Sequence, residues 1–443
     1  MDKNAMLLNI TSLTVEQLFE EIKTGKVTLD ELKNTGQLDA QKRRDIQELL
    51  NDLERIDNEA WEKAKYSDEL ALRDYITRFP NGKHVQEAKN SIKFLEEERG
   101  RTHAQKRVIL DKLKTNLNEY APDQILDYLR NGILNHNDLL DLGISTKVLD
   151  ALTSTKQSSL KLGKTPQSIP DGYTEVYFWG IPGSGKTCAL GALLSTAHKA
   201  GYLEYAMGPG YDYMTQLKNI FVDDIAILPP PSPTDSTQYL PFTLKTSKEN
   251  NARSVSLIEL SGEIFQCFYN KNAGQELPSQ SHQETFDSLM RFLRGNNRKI
   301  HFFFIDFDKK NKRDADGYLQ SDYLEAASSF FNKPENKVFG KSTDAIFLVV
   351  TKADLIPGED KERIDKAKEY LNEGFLALIN TLKGICKKNR INGGELTVEP
   401  FSLGKVYFQQ LCEFDNTSAQ EIIKTFMKRI RPSKKSILDL FNK

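Results

Sequence analysis

Residues 174–190 read TEVYFWGIPGSGKTCAL. The apolar run from Val176 to Trp179 has the composition of a buried strand, and the small-residue segment after Thr187 that of a helix. Between them, Gly180 to Thr187 satisfy the pattern G-x-x-x-x-G-K-[ST]. A loop that turns its backbone N–H groups onto phosphate oxygens needs positive φ and close approach, which Gly180, Gly183 and Gly185 permit. Lys186 is placed to reach the outer phosphates and Thr187 to offer its hydroxyl to a magnesium ion, while Ser184 and Cys188 border the same anion. The following helix would point its positive end at the phosphates.

The chain has 443 residues, enough for two or three domains. A formal net charge of −1 gives no electrostatic reason to expect nucleic acid or an acidic membrane as partner. The four cysteines (188, 267, 386 and 412) show no C-x-x-C spacing, so neither zinc nor a disulfide framework is indicated and a reduced, cytoplasmic location is expected. The longest apolar runs, such as AIFLVV at 345–350, are strand-sized, so no membrane insertion is expected.

Composition changes near residue 155. Residues 1–152 carry helical spacing and are expected to form an all-α module that meets a protein partner. Within it, EQLFEEIKTGKVTLDELKNTG (16–36) aligns without gaps on DQILDYLRNGILNHNDLLDLG (123–143), each reading as helix, glycine turn, helix. A helical hairpin over 59–97 lies between the copies. Its Trp61, Tyr75, Phe79, Pro80, Gly82, His84, Glu87 and Ala88 resemble the helical hairpins of bacterial multidomain signalling proteins, a resemblance that implies protein contact. A Ser/Thr/Lys/Pro-rich linker is expected at 153–172, followed by a domain over 173–431 and a tail at 432–443. In that domain EVYFWG, YLPFTLK, SVSLIEL, KIHFFFIDF, DAIFLVVTK and LTVEPFSL are strand candidates alternating with helices. This alternation predicts a three-layer α/β fold with a mainly parallel sheet. Residues 309–342 are expected to be an insertion at the sheet edge and a surface for a partner or for self-association.

The run DAIFLVVTKAD (344–354) ends in Thr351-Lys352-Ala353-Asp354, which resembles the [NT]-K-x-D motif of P-loop GTPases. The Asp354 carboxylate can accept from guanine N1–H and the exocyclic amine, whereas adenine offers no such donor pair on that edge and would leave the acid unpaired. Further on, Ser402 and Leu403 resemble the loop whose backbone meets guanine O6. Glu259-Leu260-Ser261-Gly262-Glu263 resembles the D-x-x-G motif. Glu259 then stands at the magnesium position, Gly262 at the γ-phosphate, and Glu263 where a water-positioning glutamine stands in Ras-like proteins. The proline-rich loop 227–244 offers Thr234 first, and Thr237 second, as the threonine that closes on magnesium.

Together, residues 173–431 resemble a TRAFAC-class P-loop GTPase domain of the bacterial multidomain type. The resemblance implies GTP/GDP and Mg²⁺ as ligands, with Lys186, Gly262 and Glu263 acting on the γ-phosphate. It also implies a molecular switch whose hydrolysis is slow without a partner, since a carboxylate at 263 repels phosphate. Two alternatives stay open. One is an ATPase of the AAA or STAND kind with Asp306 and Asp308 as its acids. The other is a scaffold that binds nucleotide with little turnover.

Overall fold

An apolar strand without alternation has no solvent face, so a sheet of such strands must be covered on both sides. The strand β1 (Thr174–Trp179) is buried along its whole length, and β6 (Arg298–Asp306) and β7 (Thr343–Thr351) nearly so. With β2 (Leu203–Tyr205), β4 (Gln238–Thr246), β5 (Glu249–Glu259) and β8 (Thr397–Phe401) they form a seven-stranded sheet ordered β2-β4-β5-β1-β6-β7-β8. The pairs β5–β1, β1–β6, β6–β7 and β7–β8 are parallel, while β4 runs antiparallel to β5 and β2 to β4. A smaller antiparallel sheet joins β3 (Ile225–Ile227), β10 (Leu411–Phe414) and β9 (Gly404–Tyr407) in that spatial order. The three-layer, mainly parallel α/β fold expected from the sequence is present, preceded by an all-helical region. The structure is a computed structural model and describes residues 3–154, 160, 168–205, 210–229, 237–246, 249–313, 317–336 and 338–430. Thr234, most of the expected linker and the tail 432–443 lie outside the described residues.

Successive residues of β1 feed opposite cores, as a period of two requires. Val176 and Phe178 pack with α10 (Lys186–Lys199), α11 (Tyr211–Ile220) and α17 (Thr417–Arg429). Tyr177 and Trp179 pack with α12 (Ile264–Asn272), α13 (Gln280–Arg294), α14 (Gln320–Asn332), α15 (Asp360–Gly374) and α16 (Leu376–Asn389). The segment 309–342 is therefore not an edge insertion. It is the crossover from β6 to β7, which parallel neighbours cannot do without. Its helix α14 buries Leu324, Ala327, Phe330 and Phe331 on the sheet face, and Phe331 meets Trp179 edge-on with ring centroids 5.7 Å apart.

The chain forms two compact units, Met1–Asp111 and Lys112–Lys443. The compositional change near 155 is a change of secondary structure, whereas contacts divide the chain at 111/112. In the second unit α7 (Pro122–Arg130) and α8 (His136–Leu140) precede α9 (Thr146–Ser154), which packs against the smaller sheet. Ser145 Oγ donates to Glu413 Oε1 at 2.7 Å, Lys147 Nζ lies 2.8 Å from Asp224 Oδ2, and Phe408 N donates to Leu117 O at 3.1 Å.

The first unit contains α1 (Lys3–Leu7), α2 (Val15–Lys23), α3 (Leu29–Asn34), α4 (Ala40–Ala64), α5 (Glu69–Arg78) and most of α6 (Val85–Thr115). The two repeat copies, on α2–α3 and α7–α8, turn in the same way. Gly25 N donates to Ile22 O and Lys26 N to Glu21 O, and Gly132 N donates to Leu129 O and Ile133 N to Tyr128 O. This is a helix end closed by a left-handed residue, with φ 75° at Gly25 and 68° at Gly132. In the hairpin, Trp61 stacks on His84 with centroids 5.2 Å apart and tilts against Tyr75 at 5.5 Å. Buried Asp57 ties this cluster together by accepting from Tyr75 OH at 2.5 Å and Lys83 N at 2.8 Å. Asp57→Ala strands both donors and is expected to destabilise the first unit by about 2–4 kcal/mol, read as a shift in its urea midpoint.

Candidate functional site

The loop after β1 is held between a buried strand and a helix that opens at left-handed Gly185, φ 85°. Gly180 has no room for a side chain, since a Cβ there would lie 2.4 Å from Ser184 Oγ and 2.8 Å from Phe304 O on β6. Lys186 is buried and donates to the carbonyls of Gly180 at 2.6 Å and Ile181 at 2.9 Å. Desolvation pushes its ammonium down to about 8; the Glu259 carboxylate opposes the shift and Lys309 adds to it. Cys188 follows in the first turn of α10, where desolvation pushes its thiol up to about 12 and keeps it neutral.

Thr187 and Tyr213 converge on one acid. Thr187 Oγ1 makes a short hydrogen bond to Glu259 Oε1, and Tyr213 OH donates to Glu259 Oε2 at 2.6 Å. Glu259 is buried at the end of β5. Desolvation raises its pKa, against the pull of the two hydroxyls and of Lys186. Its extra methylene thus brings the carboxylate directly onto Thr187. A hydroxyl and a carboxylate are the hard donors magnesium takes, with phosphate oxygens and water filling the other positions. Among the described residues Glu259 has no ion-pair partner, so the set fits a divalent cation. Thr237 is buried just before β4, and Thr234 lies outside the described residues.

The turn after β5 is pressed onto the phosphate loop. A Cβ on Gly262 would lie 2.2 Å from Pro182 N and 2.6 Å from Ile181 C, so this approach requires glycine. Glu263 Oε2 lies 2.6 Å from His282 Nε2, and Ser279 Oγ lies 2.7 Å from His282 Nδ1. The carboxylate that the sequence places beside a phosphate therefore has a nitrogen partner of its own. A cavity of about 240 Å³ opens beside these residues, lined by Pro182, Gly262, Glu263, Lys309 and Arg313 among others.

At the other end, Thr351 Oγ1 donates to Ser184 O at 3.0 Å and lies 3.3 Å from Ile305 O, tying β7 to the phosphate loop. Lys352 adopts φ 58°. Asp354 is exposed, and Ser402 Oγ donates to its Oδ1 at 3.0 Å, so the two expected base-reading loops meet. Leu403 is adjacent, its carbonyl accepting from Asp415 N at 2.8 Å. Asp306 and Asp308 face Lys352, whose Nζ lies 3.0 and 3.6 Å from their carboxylates. The acid bonded to Thr187 is Glu259.

The sequence singled out Lys186, Thr187, Glu259, Gly262 and Glu263, and the fold brings them around one loop. It missed Tyr213, His282 and Lys309. No spacing signal marks these, because each meets the site across a long stretch of chain.

The sequence matches no protein-family model and no curated protein. Solved structures do match in part. The GTPase-like domain of S. cerevisiae Ski7, bound to GDP and inorganic phosphate, is 15% identical over 52% of this chain and 43% of that chain, at a TM-score of 0.28. Nucleolar GTP-binding protein 1 of Plasmodium falciparum is 10% identical over 59% of this chain and 88% of that one, at 0.28. The signal recognition particle receptor SRb-GTP/SRX complex of Chaetomium thermophilum is 17% identical over 58% and 99%, at 0.29. The chain spans less than half the length of the Ski7 chain that it matches. What the fold and the site themselves define is a phosphate-loop α/β domain.

Proposed function

We propose that this protein is a guanine-nucleotide-binding switch that hydrolyses GTP slowly. The observation that carries the reading is the meeting of Asp354 with Ser402 at one end of a loop whose other end holds Lys186, Thr187 and Glu259. Asp354 presents acceptors for the guanine N1–H and amine, and Lys352 lays its stem along the base. Lys186 exchanges its carbonyl partners for phosphate oxygens, and Gly262 offers a backbone N–H to the outermost one. Magnesium held by Thr187 and Glu259 would withdraw charge from the β- and γ-phosphates. Glu263, partnered by His282, orients the attacking water. The helical region 1–152 reads the nucleotide state through a protein partner, and the α/β domain offers a face for self-association.

Nucleotide extracted from the purified protein is expected to be GDP or GTP, and titration is expected to favour GTP over ATP by at least about tenfold. Equal affinity for ATP and GTP would overturn the guanine assignment. A second reading, binding without turnover, draws on the Glu263–His282 contact, which holds the carboxylate by a nitrogen partner. Single-turnover phosphate release separates the two, since a scaffold releases none.

A further inference from the structure

Lys309 closes the short turn Phe307–Lys309 that follows β6. Its ammonium crosses to the phosphate loop and donates to Pro182 O at 2.8 Å. A Cβ on Gly183 would stand 2.8 Å from the same Nζ, so the cation lies directly over Gly183. On its other side Pro182 is in contact with Gly262. Three consecutive carbonyls, at 180, 181 and 182, are thus bound by the ammonium groups of Lys186 and Lys309.

The neighbouring lysines are neutralised differently. Lys310 pairs with Glu373 at 2.6 Å, Lys312 with Asp308 at 2.5 Å, and Lys352 with Asp306 at 3.0 Å. Among the described residues Lys309 has no carboxylate within ion-pair distance. Desolvation holds its ammonium below the ordinary range, with Asp306 opposing. Two partly desolvated cations resting on neutral carbonyls repel each other, and an anion of high charge in the loop relieves both.

We propose that Lys309 is a binding residue for the terminal phosphate, supplied in cis from the β6–α14 crossover, which lets the site tell a nucleoside triphosphate from a diphosphate. The inference rests on the guanine-nucleotide reading above and names the residue that reads the third phosphate. Lys186 serves the phosphates common to both ligands, whereas Lys309 borders the Pro182–Gly262 side, where the turn after β5 meets the loop.

The test uses the full chain with magnesium and fluorescent analogues of GDP and of a non-hydrolysable GTP. Lys309→Ala and Lys309→Met are expected to weaken the triphosphate analogue about tenfold or more while GDP stays within about twofold, and Lys309→Arg to keep most of the preference. GDP affinity and the melting temperature report whether each variant is folded. An unchanged triphosphate-to-diphosphate ratio in folded Lys309→Met, or an equal loss on both ligands, overturns the inference and leaves the guanine reading standing. A wild-type chain that binds neither analogue sinks the guanine reading, and this inference with it.

Discussion

Lys186→Ala is expected to abolish triphosphate binding at any practical concentration, with a loss of about 10²- to 10⁴-fold. The lysine is buried and its ammonium rests on two loop carbonyls, so an incoming phosphate replaces neutral acceptors with charged ones in a desolvated place. Removing it takes away the cation and also the bonds it makes within the loop. The same residue gives the wild type a titration signature. With its pKa lowered to about 8, Lys186 is increasingly neutral as pH rises through that value in the absence of nucleotide. An anion restores the charged form. Binding near pH 8 and above should therefore take up protons and weaken as pH rises, while near pH 6.5 the uptake vanishes. Calorimetry of the wild type in two buffers of different ionisation enthalpy measures this. A variant that keeps wild-type affinity would show that the loop is not the phosphate site.

Asp354→Asn is expected to exchange the base. Guanine presents two donors on the edge that Asp354 faces, its N1–H and its exocyclic amine, and a carboxylate accepts both. An amide offers one acceptor and one donor. It matches xanthine, which carries a carbonyl where guanine carries the amine. GTP affinity should fall by about two orders of magnitude and xanthosine triphosphate affinity rise by a comparable factor, since the amide sets a donor against the guanine amine and leaves it unpaired. Ser402 holds one oxygen of Asp354 in place, so the amide can adopt the same orientation. Parallel titrations with both nucleotides decide the matter. Unchanged GTP affinity, or equal loss on both, would remove Asp354 from the base site.

Much of the α/β core was legible in the chain because its strands are apolar on both faces. The six strand candidates correspond to β1, β4, β5, β6, β7 and β8. The strands β2, β3, β9 and β10 have three or four residues each, too few for a period to declare itself. The segment 309–342 read as an appendage because its polar ends outweigh its core, and only the parallel pairing of β6 with β7 makes it a necessary crossover. The phosphate loop and its acid were legible as contiguous motifs. Tyr213, His282 and Lys309 were not, since they are carried to the site by α11, by α13 and by the turn after β6. Asp57 was missed for the same reason: nothing local distinguishes a buried, doubly bonded aspartate from a solvated one.

The docking of α9 on the smaller sheet has a practical corollary. The hairpin of β9 and β10 begins right after Leu403, and Asp415 at its far end returns a hydrogen bond to that residue. Its tip leans on residues 117 and 118, and its flank on Ser145. An excised α/β fragment begun at the compositional boundary would lose these props and bare the side of the hairpin that they cover. Guanine selectivity in such a fragment would then report on a damaged loop. Trimming should stop at or before residue 112, so that the loop of Ser402 and Leu403 keeps the scaffolding that lies upstream of the phosphate loop.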